Sequence, residues 1–190
     1  MTETGEKWRL FVAVPIPAEV KRKLDDWCRQ RRDRLPFRKW VHAEDYHITV
    51  QFLGDMPPER LGELETSLTK AAFGVAPFSL EAGGCGTFGR PASPSVLWAG
   101  VKGDLPALGR LHREVAEANR ELGFVPEDRR YSPHITLARK YREDAAAISA
   151  EALKEAAAFG SWTADRLVVY RTHMHERPMY ETVATVSFSQ

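Results

Sequence analysis

The sequence has few cysteines, almost no net charge and no long hydrophobic run. Its two cysteines among 190 residues cannot form a disulfide framework, and they lack the C-x-x-C spacing of a zinc or redox site. With 27 Lys and Arg against 26 Asp and Glu, the formal charge of +1 excludes a chain that coats nucleic acid along its whole length. The first apolar stretch, residues 10–16, is short and is interrupted by Pro15, so it predicts neither a signal peptide nor a membrane span. We therefore expect no membrane association and a location in the reducing cytoplasm.

The apolar spacing that is present predicts alternating strands and helices, in the order βαβαβ and then βαβαββ. The predicted strands are residues 10–14, 47–53, 78–88, 96–101, a run beginning at His134, 167–170 and 180–188. Helices are predicted after Pro17, after Pro57, from about Leu105 and, in an Ala-rich stretch, over about residues 144–159. A Pro-rich stretch at residues 90–94 is the predicted boundary between the two parts.

One tetrapeptide pattern occurs twice. The sequences HITV at 47–50 and HITL at 134–137 lie 87 positions apart, and the same offset aligns the strand and helix upstream of each copy. We interpret this as an internal duplication within a single catalytic domain, residues 1–190, with halves at about 8–89 and 95–190. The predicted fold class is α+β, with two pseudo-symmetric halves and antiparallel-rich sheets flanking a central cleft.

Each copy of the pattern offers an imidazole and a hydroxyl. Because residues i and i+2 of a strand share a face, His47 and Thr49 point the same way, as do His134 and Thr136. Two imidazoles can act as one general acid and one general base near neutral pH, and two hydroxyls can bind phosphate oxygens. This set suits cleavage of a strained phosphodiester without a metal or other cofactor. The residues alone leave open which histidine is the acid, because the duplication makes the two equivalent.

The motifs and their flanks resemble a known family. The segments that carry the resemblance are RLFVAV at 9–14, YHITVQFLG at 46–54 and YSPHITLAR at 131–139. Together they resemble the 2H phosphoesterase superfamily and, within it, the RNA 2',3'-cyclic phosphodiesterases, historically called 2'-5' RNA ligases. The resemblance extends over nearly the whole chain and implies a hydrolase that opens an RNA 2',3'-cyclic phosphate to a 2'-phosphomonoester.

The resemblance also implies residue roles. His47 is the implied proton donor to the departing 3'-oxygen, and His134 is the implied proton acceptor that activates water. Thr49 and Thr136 are implied to bind the phosphate, as is Arg139. Strict strand alternation places Arg139 on the face opposite His134, so this contact requires a bulge or a reach around the strand end. The alternative for Arg139 is a surface salt bridge.

Other functions remain open at this stage. The same site could act on another cyclic nucleotide or on 2'-5' linked RNA, including reversible ligation, or the chain could be an RNA-binding module with vestigial histidines. We expect RNA with a cyclic phosphate end as the partner, and a monomer.

Three further features have two interpretations each. Residues 21–39 carry a formal charge of +6, which either attracts an RNA backbone or is a solvated helix face. Phe11 or Trp40 could stack on a nucleobase, although an apolar aromatic in a strand is more often part of the core. His173 and His175 form an H-x-H pair that could bind a metal, although a surface loop is the favoured interpretation.

Overall fold

The computed structural model describes residues 5–154 and 158–189, which form nine strands and four α-helices. The strands are β1 (Trp8–Pro15), β2 (Phe37–Trp40), β3 (His47–Met56), β4 (Phe78–Arg90), β5 (Ser93–Gly103), β6 (His134–Tyr141), β7 (Ala158–Ala164), β8 (Arg166–Thr172) and β9 (Tyr180–Ser187). The helices are α1 (Ala18–Arg31), α2 (Leu61–Ala72), α3 (Leu105–Arg120) and α4 (Ala150–Lys154).

The strands form two sheets. The first sheet has the order β3-β1-β8-β9 and the second has the order β2-β6-β5-β4-β7, and every pairing between these strands is antiparallel. Helix α2 packs against β8 and β9 and α3 against β3, whereas α1 packs against β7 and α4 against β4. The predicted α+β class with antiparallel sheets is confirmed.

Each sheet takes strands from both parts of the chain. The predicted boundary at residues 90–94 is the tight turn of a hairpin, in which Arg90 pairs with Ser93 and β4 continues into β5 within one sheet. Pro15 of β1 lies opposite His47, and Gly100 of β5 lies opposite His134. An exact 87-residue repeat would place residue 102 opposite His134, so the two strand pairs differ in register by two residues. The internal duplication stays a prediction.

The predicted Ala-rich helix is wrong at both ends, because residues 144–149 are not helical and residues 158–159 belong to a strand. Only α4 is helical in this stretch, residues 155–157 lie outside the described residues, and 158–164 form β7 at the edge of the second sheet. A strand is favoured over a helix at residues 158–164 because it buries Phe159, whose ring meets Trp27 of α1 edge-on at 6.0 Å between centroids. Strand β2 was also absent from the prediction, which ran the helical pattern on to Leu35.

Strand β1 lies inside the first sheet, and both of its faces are buried. Leu10, Val12 and Val14 join the large core beneath the helices, whereas Phe11 and Ala13 face the other side of the sheet in a smaller cluster with Tyr170. Such a strand is an almost continuous apolar run, and it gives the neighbouring β3 a rigid support. Within the described residues no helix is both long and apolar enough to cross a bilayer.

Candidate active site

The imidazole of His47 is fixed at the start of β3. Its Nδ1–H donates to the carbonyl of Asp45 at 2.7 Å, and its Nε2 lies 3.0 Å from the hydroxyl of Thr49. A carbonyl oxygen can only accept a hydrogen bond, so the neutral ring carries its proton on Nδ1. Nε2 is then unprotonated and can accept a hydrogen bond. Thr49 then donates to Nε2, which confirms that strand alternation places the imidazole and the hydroxyl on one face.

His134 has the same local geometry at the start of β6. Its Nδ1–H donates to the carbonyl of Ser132 at 2.8 Å, again two residues earlier in the chain. The ring of Phe88 meets the imidazole edge-on at 4.9 Å. Nε2 is therefore the nitrogen that remains for chemistry in both histidines. Thr136 lies two residues further along β6, opposite Trp98 of β5.

A tyrosine connects the two motif strands. Tyr131, three residues before His134, donates its hydroxyl to the carbonyl of Thr49 at 2.7 Å. His112 of α3 stacks on the Tyr131 ring with the centroids 4.0 Å apart. Because β3 and β6 also contact each other, the two histidines are held on facing strands.

Burial makes His47 a weak base in the free protein. Its ring lies on an aromatic floor, 4.8 Å from Phe11 and 5.3 Å from Tyr180 between centroids. Desolvation lowers the pKa of His47 to about 4, with smaller contributions from the positive charges of His134 and Arg139, while the bond to the Asp45 carbonyl opposes the shift. The pKa of His134 is also lowered, first by desolvation and then by Arg139. Both imidazoles are thus neutral at pH 7 before an anion binds.

Asp45 is the buried anchor of the site. Its side chain is 4% exposed and accepts hydrogen bonds from the backbone N–H groups of Met179, at 2.9 Å, and Tyr180, at 3.2 Å. These bonds tie the loop between β8 and β9 to the start of β3. Sequence reasoning missed this residue, and the only available signal was its position two residues before His47.

A bulge in β6 turns Arg139 to the face of the strand that carries His134. Trp98 pairs with Thr136 and Leu97 pairs with Ala138, so Leu137 is an extra residue and both Leu137 and Ala138 are buried. The extra residue shifts the alternation of side chains along β6, so that Arg139 and His134 project to the same face. Strict alternation would place them on opposite faces. The positive charge of Arg139 contributes to the lowered pKa of both His47 and His134.

Of the two interpretations of Phe11, the favoured one, a core residue, is confirmed. Phe11 is 2% exposed and lies beneath His47, where no base can stack on it. Trp40 is partly buried against the core. The aromatic side chains that do reach the surface near the histidines are Phe52, which is 63% exposed, and the partly buried Phe88.

Two further histidines have polar partners away from the site. His173 lies 3.3 Å from a carboxylate oxygen of Glu181, and His42 accepts a hydrogen bond from the backbone of Glu44. Residues 5–154 and 158–189 contain no cluster of three or more His, Cys, Asp or Glu side chains that could hold a metal ion.

Comparison with known proteins gives a consistent family. A family model described as the 2'-5' RNA ligase superfamily matches residues 16–176. The RNA 2',3'-cyclic phosphodiesterase of Geobacillus stearothermophilus is 43% identical over 175 residues, which are 92% of this chain and 55% of that protein. This chain thus spans about half the length of that relative. The RNA 2',3'-cyclic phosphodiesterase of Bacillus subtilis is 35% identical, and the match covers 91% of this chain and 92% of the relative.

Solved structures show the same fold. The structure of LigT from E. coli complexed with 3'-AMP matches with a TM-score of 0.79 at 24% identity, covering 97% of this chain and all of that chain. A structure from Thermus thermophilus matches with a TM-score of 0.76 at 27% identity, covering 95% of this chain and 97% of the other.

Proposed function

Since this chain belongs to the 2'-5' RNA ligase superfamily, we propose that it is an RNA 2',3'-cyclic phosphodiesterase that opens cyclic phosphate ends to 2'-phosphomonoesters. The observation that carries the proposal is the matched pair of imidazoles. In each, Nδ1–H is bound to a carbonyl two residues earlier, which leaves Nε2 for proton transfer, and a threonine follows two residues later on the same strand. An acid and a base on facing strands fit an in-line displacement at phosphorus.

The proposed reaction uses one water and no cofactor. His134 Nε2 removes a proton from water as the water oxygen bonds to phosphorus. The bond between phosphorus and the 3'-oxygen breaks, and His47 Nε2–H gives its proton to that oxygen. The phosphate remains on the 2'-oxygen. Positioned acid–base groups of this kind each contribute about 10² to 10⁴-fold to the rate.

The acid role of His47 requires the substrate. With a pKa of about 4 in the free protein, His47 is neutral at pH 7 and cannot donate a proton. An anionic phosphate next to the ring favours the imidazolium, and it opposes the charges of Arg139 and His134 that lower the pKa. Substrate binding therefore raises the pKa of His47, which couples proton uptake to the arrival of the phosphate.

Three side chains are proposed to bind the phosphate. The Thr49 hydroxyl, which donates to His47 in the free protein, turns to a phosphate oxygen once His47 is protonated. Thr136 offers the equivalent hydroxyl from β6, and the Arg139 guanidinium neutralises charge on the equatorial oxygens. We further propose that Phe52 or Phe88 supports the terminal nucleobase, because both reach the surface close to the histidines.

The remaining proposals concern the setting of the reaction. We propose that the protein acts as a monomer in a reducing cytoplasm. The free thiols of Cys28 and Cys85 support the reducing compartment.

Product analysis tests the proposed function. The protein is incubated with a chelator and an oligoribonucleotide ending in a 2',3'-cyclic phosphate, and the terminal phosphate isomer is identified. We expect a 2'-phosphomonoester. A 3'-phosphate would contradict the leaving-group assignment, and binding without cleavage would support the vestigial alternative. Cleavage only of 2'-5' linked RNA would assign the site to that substrate instead.

A further inference from the structure

Two like charges are paired across the edge of the second sheet, next to the histidines. Lys39 on β2 is the Cα partner of Arg139 on β6. Both side chains are exposed, and neither has an ion pair or hydrogen bond with another residue in the described ranges. Like charges directly opposite each other destabilise a sheet. An external anion that binds both side chains would offset this cost.

Lys39 and Arg139 lie on the same face of the sheet, because directly opposite residues of an antiparallel pair project to one side. The bulge at Leu137 turns Arg139 to the face of His134, and the left-handed backbone of Lys140 interrupts the alternation before the buried Tyr141. The positive charge of Arg139 also acts on both catalytic imidazoles. Lys39 is therefore one strand further from the histidines than Arg139, on the same surface.

A third cation comes from the loop between β8 and β9. The exposed guanidinium of Arg177 donates to the carbonyl of Trp40, the residue after Lys39, at 3.3 Å. The loop is held there by Asp45, whose carboxylate is already occupied by two backbone N–H groups and so is not a partner for these cations. Lys39, Arg139 and Arg177 together form a surface that we name the basic edge.

The cations of α1 differ from those of the basic edge. Arg29 is paired with Asp25 at 2.7 Å, and Lys23 lies 3.9 Å from Glu19. Lys21 donates to a backbone carbonyl at 2.9 Å. These three cations are thus engaged within the protein, whereas Lys39, from the same segment, lies next to Arg139 and extends the site.

We propose that Lys39 and Arg177 of the basic edge bind phosphodiester groups of the RNA strand upstream of the cyclic phosphate, which Arg139 contacts, and so make oligonucleotide ends better substrates than mononucleoside cyclic phosphates. This inference rests on the proposed function. A mononucleoside 2',3'-cyclic phosphate has a single phosphate, which occupies the histidines. Only a longer strand has further phosphates that can reach Lys39 and Arg177.

The test compares two substrates with the same terminal nucleotide: a nucleoside 2',3'-cyclic phosphate and a pentanucleotide ending in that cyclic phosphate. We measure kcat/KM for both with the wild type, Lys39→Gln and Arg177→Gln. Each substitution should lower the ratio of pentanucleotide to mononucleotide kcat/KM by about fivefold at low salt, the size of one exposed ion pair. Each should also reduce the slope of log kcat/KM against log salt for the pentanucleotide by about 0.7.

Arg110→Gln is the matched control, since Arg110 is an exposed arginine on α3, and it should change neither value. An unchanged substrate ratio in Lys39→Gln and Arg177→Gln, with both substrates cleaved by the wild type, would overturn this inference alone. Cleavage of neither substrate by the wild type would overturn the proposed function as well. If Lys39→Gln and Arg177→Gln instead weaken the binding of free phosphate by the same factor as they lower the ratio of pentanucleotide to mononucleotide kcat/KM, the basic edge binds the cyclic phosphate itself. That result would overturn the inference.

Discussion

Replacing Asp45 by alanine should destabilise the protein far more than its small size suggests. The carboxylate is 4% exposed and accepts two backbone hydrogen bonds, at 2.9 Å and 3.2 Å. Hydrogen bonds to a charged group contribute about 1.5 to 3 kcal/mol each, and the longer bond argues for the lower end. We therefore expect Asp45→Ala to lower the free energy of unfolding by about 3 kcal/mol. For a chain of this length, that corresponds to a fall in Tm of about 6–12 °C.

The same substitution should also slow catalysis while leaving part of the site intact. The backbone carbonyl that fixes His47 Nδ1 survives in Asp45→Ala. The loop that carries Tyr180 loses its anchor, and the Tyr180 ring is one side of the aromatic floor under His47. Asp45 is thus a positioning residue, and we expect kcat to fall by about tenfold, well short of the loss of a general acid or base.

Urea unfolding followed by circular dichroism measures the stability change. The matched control is Asp104→Ala, which removes an exposed N-cap of α3 with a single hydrogen bond to the backbone of Ala107 at 3.0 Å. That control should cost about 1 kcal/mol. If Asp45→Ala costs no more than Asp104→Ala, the reasoning about the buried anchor is refuted.

Three further predictions concern the same site. The unfolded chain binds the His47 proton more tightly than the folded protein, because the folded pKa of about 4 lies below the unfolded value of about 6.5. The free energy of unfolding should therefore fall by up to about 3 kcal/mol as the pH drops from 7 to 4, and a His47→Gln variant should lose this part of the pH dependence in urea titrations. Tyr131→Phe removes the hydroxyl that donates to the Thr49 carbonyl, so it should lower the free energy of unfolding by about 1–2 kcal/mol in the same assay. An unchanged urea midpoint would show that this hydrogen bond does not stabilise the protein. His47→Ala and His134→Ala should each reduce turnover by about 10² to 10⁴-fold with unchanged circular dichroism, and a variant that kept most of its activity would exclude that histidine.

Strand alternation was enough to predict the core of the site. The motif places an imidazole and a hydroxyl two residues apart on one strand face, and the structure has this arrangement at His47 and Thr49. The roles of the site residues stay predictions. What links the two motifs, the bond from Tyr131 to Thr49, joins residues 82 positions apart and leaves no periodic signal in the sequence.

The predicted Ala-rich helix and the side chain of Phe11 show how packing decides what local sequence leaves open. The alanines of residues 145–158 favour a helix, but from Ala158 onward pairing with β4 and burial of Phe159 against α1 stabilise a strand. Phe11 was considered for a nucleobase because it is aromatic and near the motif. Its strand is interior to the first sheet, so the side chain is buried on the cleft side under His47.

The position of Arg139 depends on a single extra residue. Alternation alone places it on the wrong face, and only the pairing partners of Thr136 and Ala138 reveal the bulge. A bulge depends on the neighbouring strand as much as on its own sequence. For that reason the sequence of β6 alone indicates that a bulge is needed before Arg139 but does not show that one is present.

A substrate with sulfur in place of the bridging 3'-oxygen tests most directly whether the two histidines divide acid and base work. A thiolate leaves without a proton, so it needs no general acid. We predict that the sulfur substrate restores turnover by His47→Ala to near the wild-type rate and leaves His134→Ala inactive. Restoration of His134→Ala in place of His47→Ala would reverse the two roles, and restoration of neither variant would contradict the acid–base account.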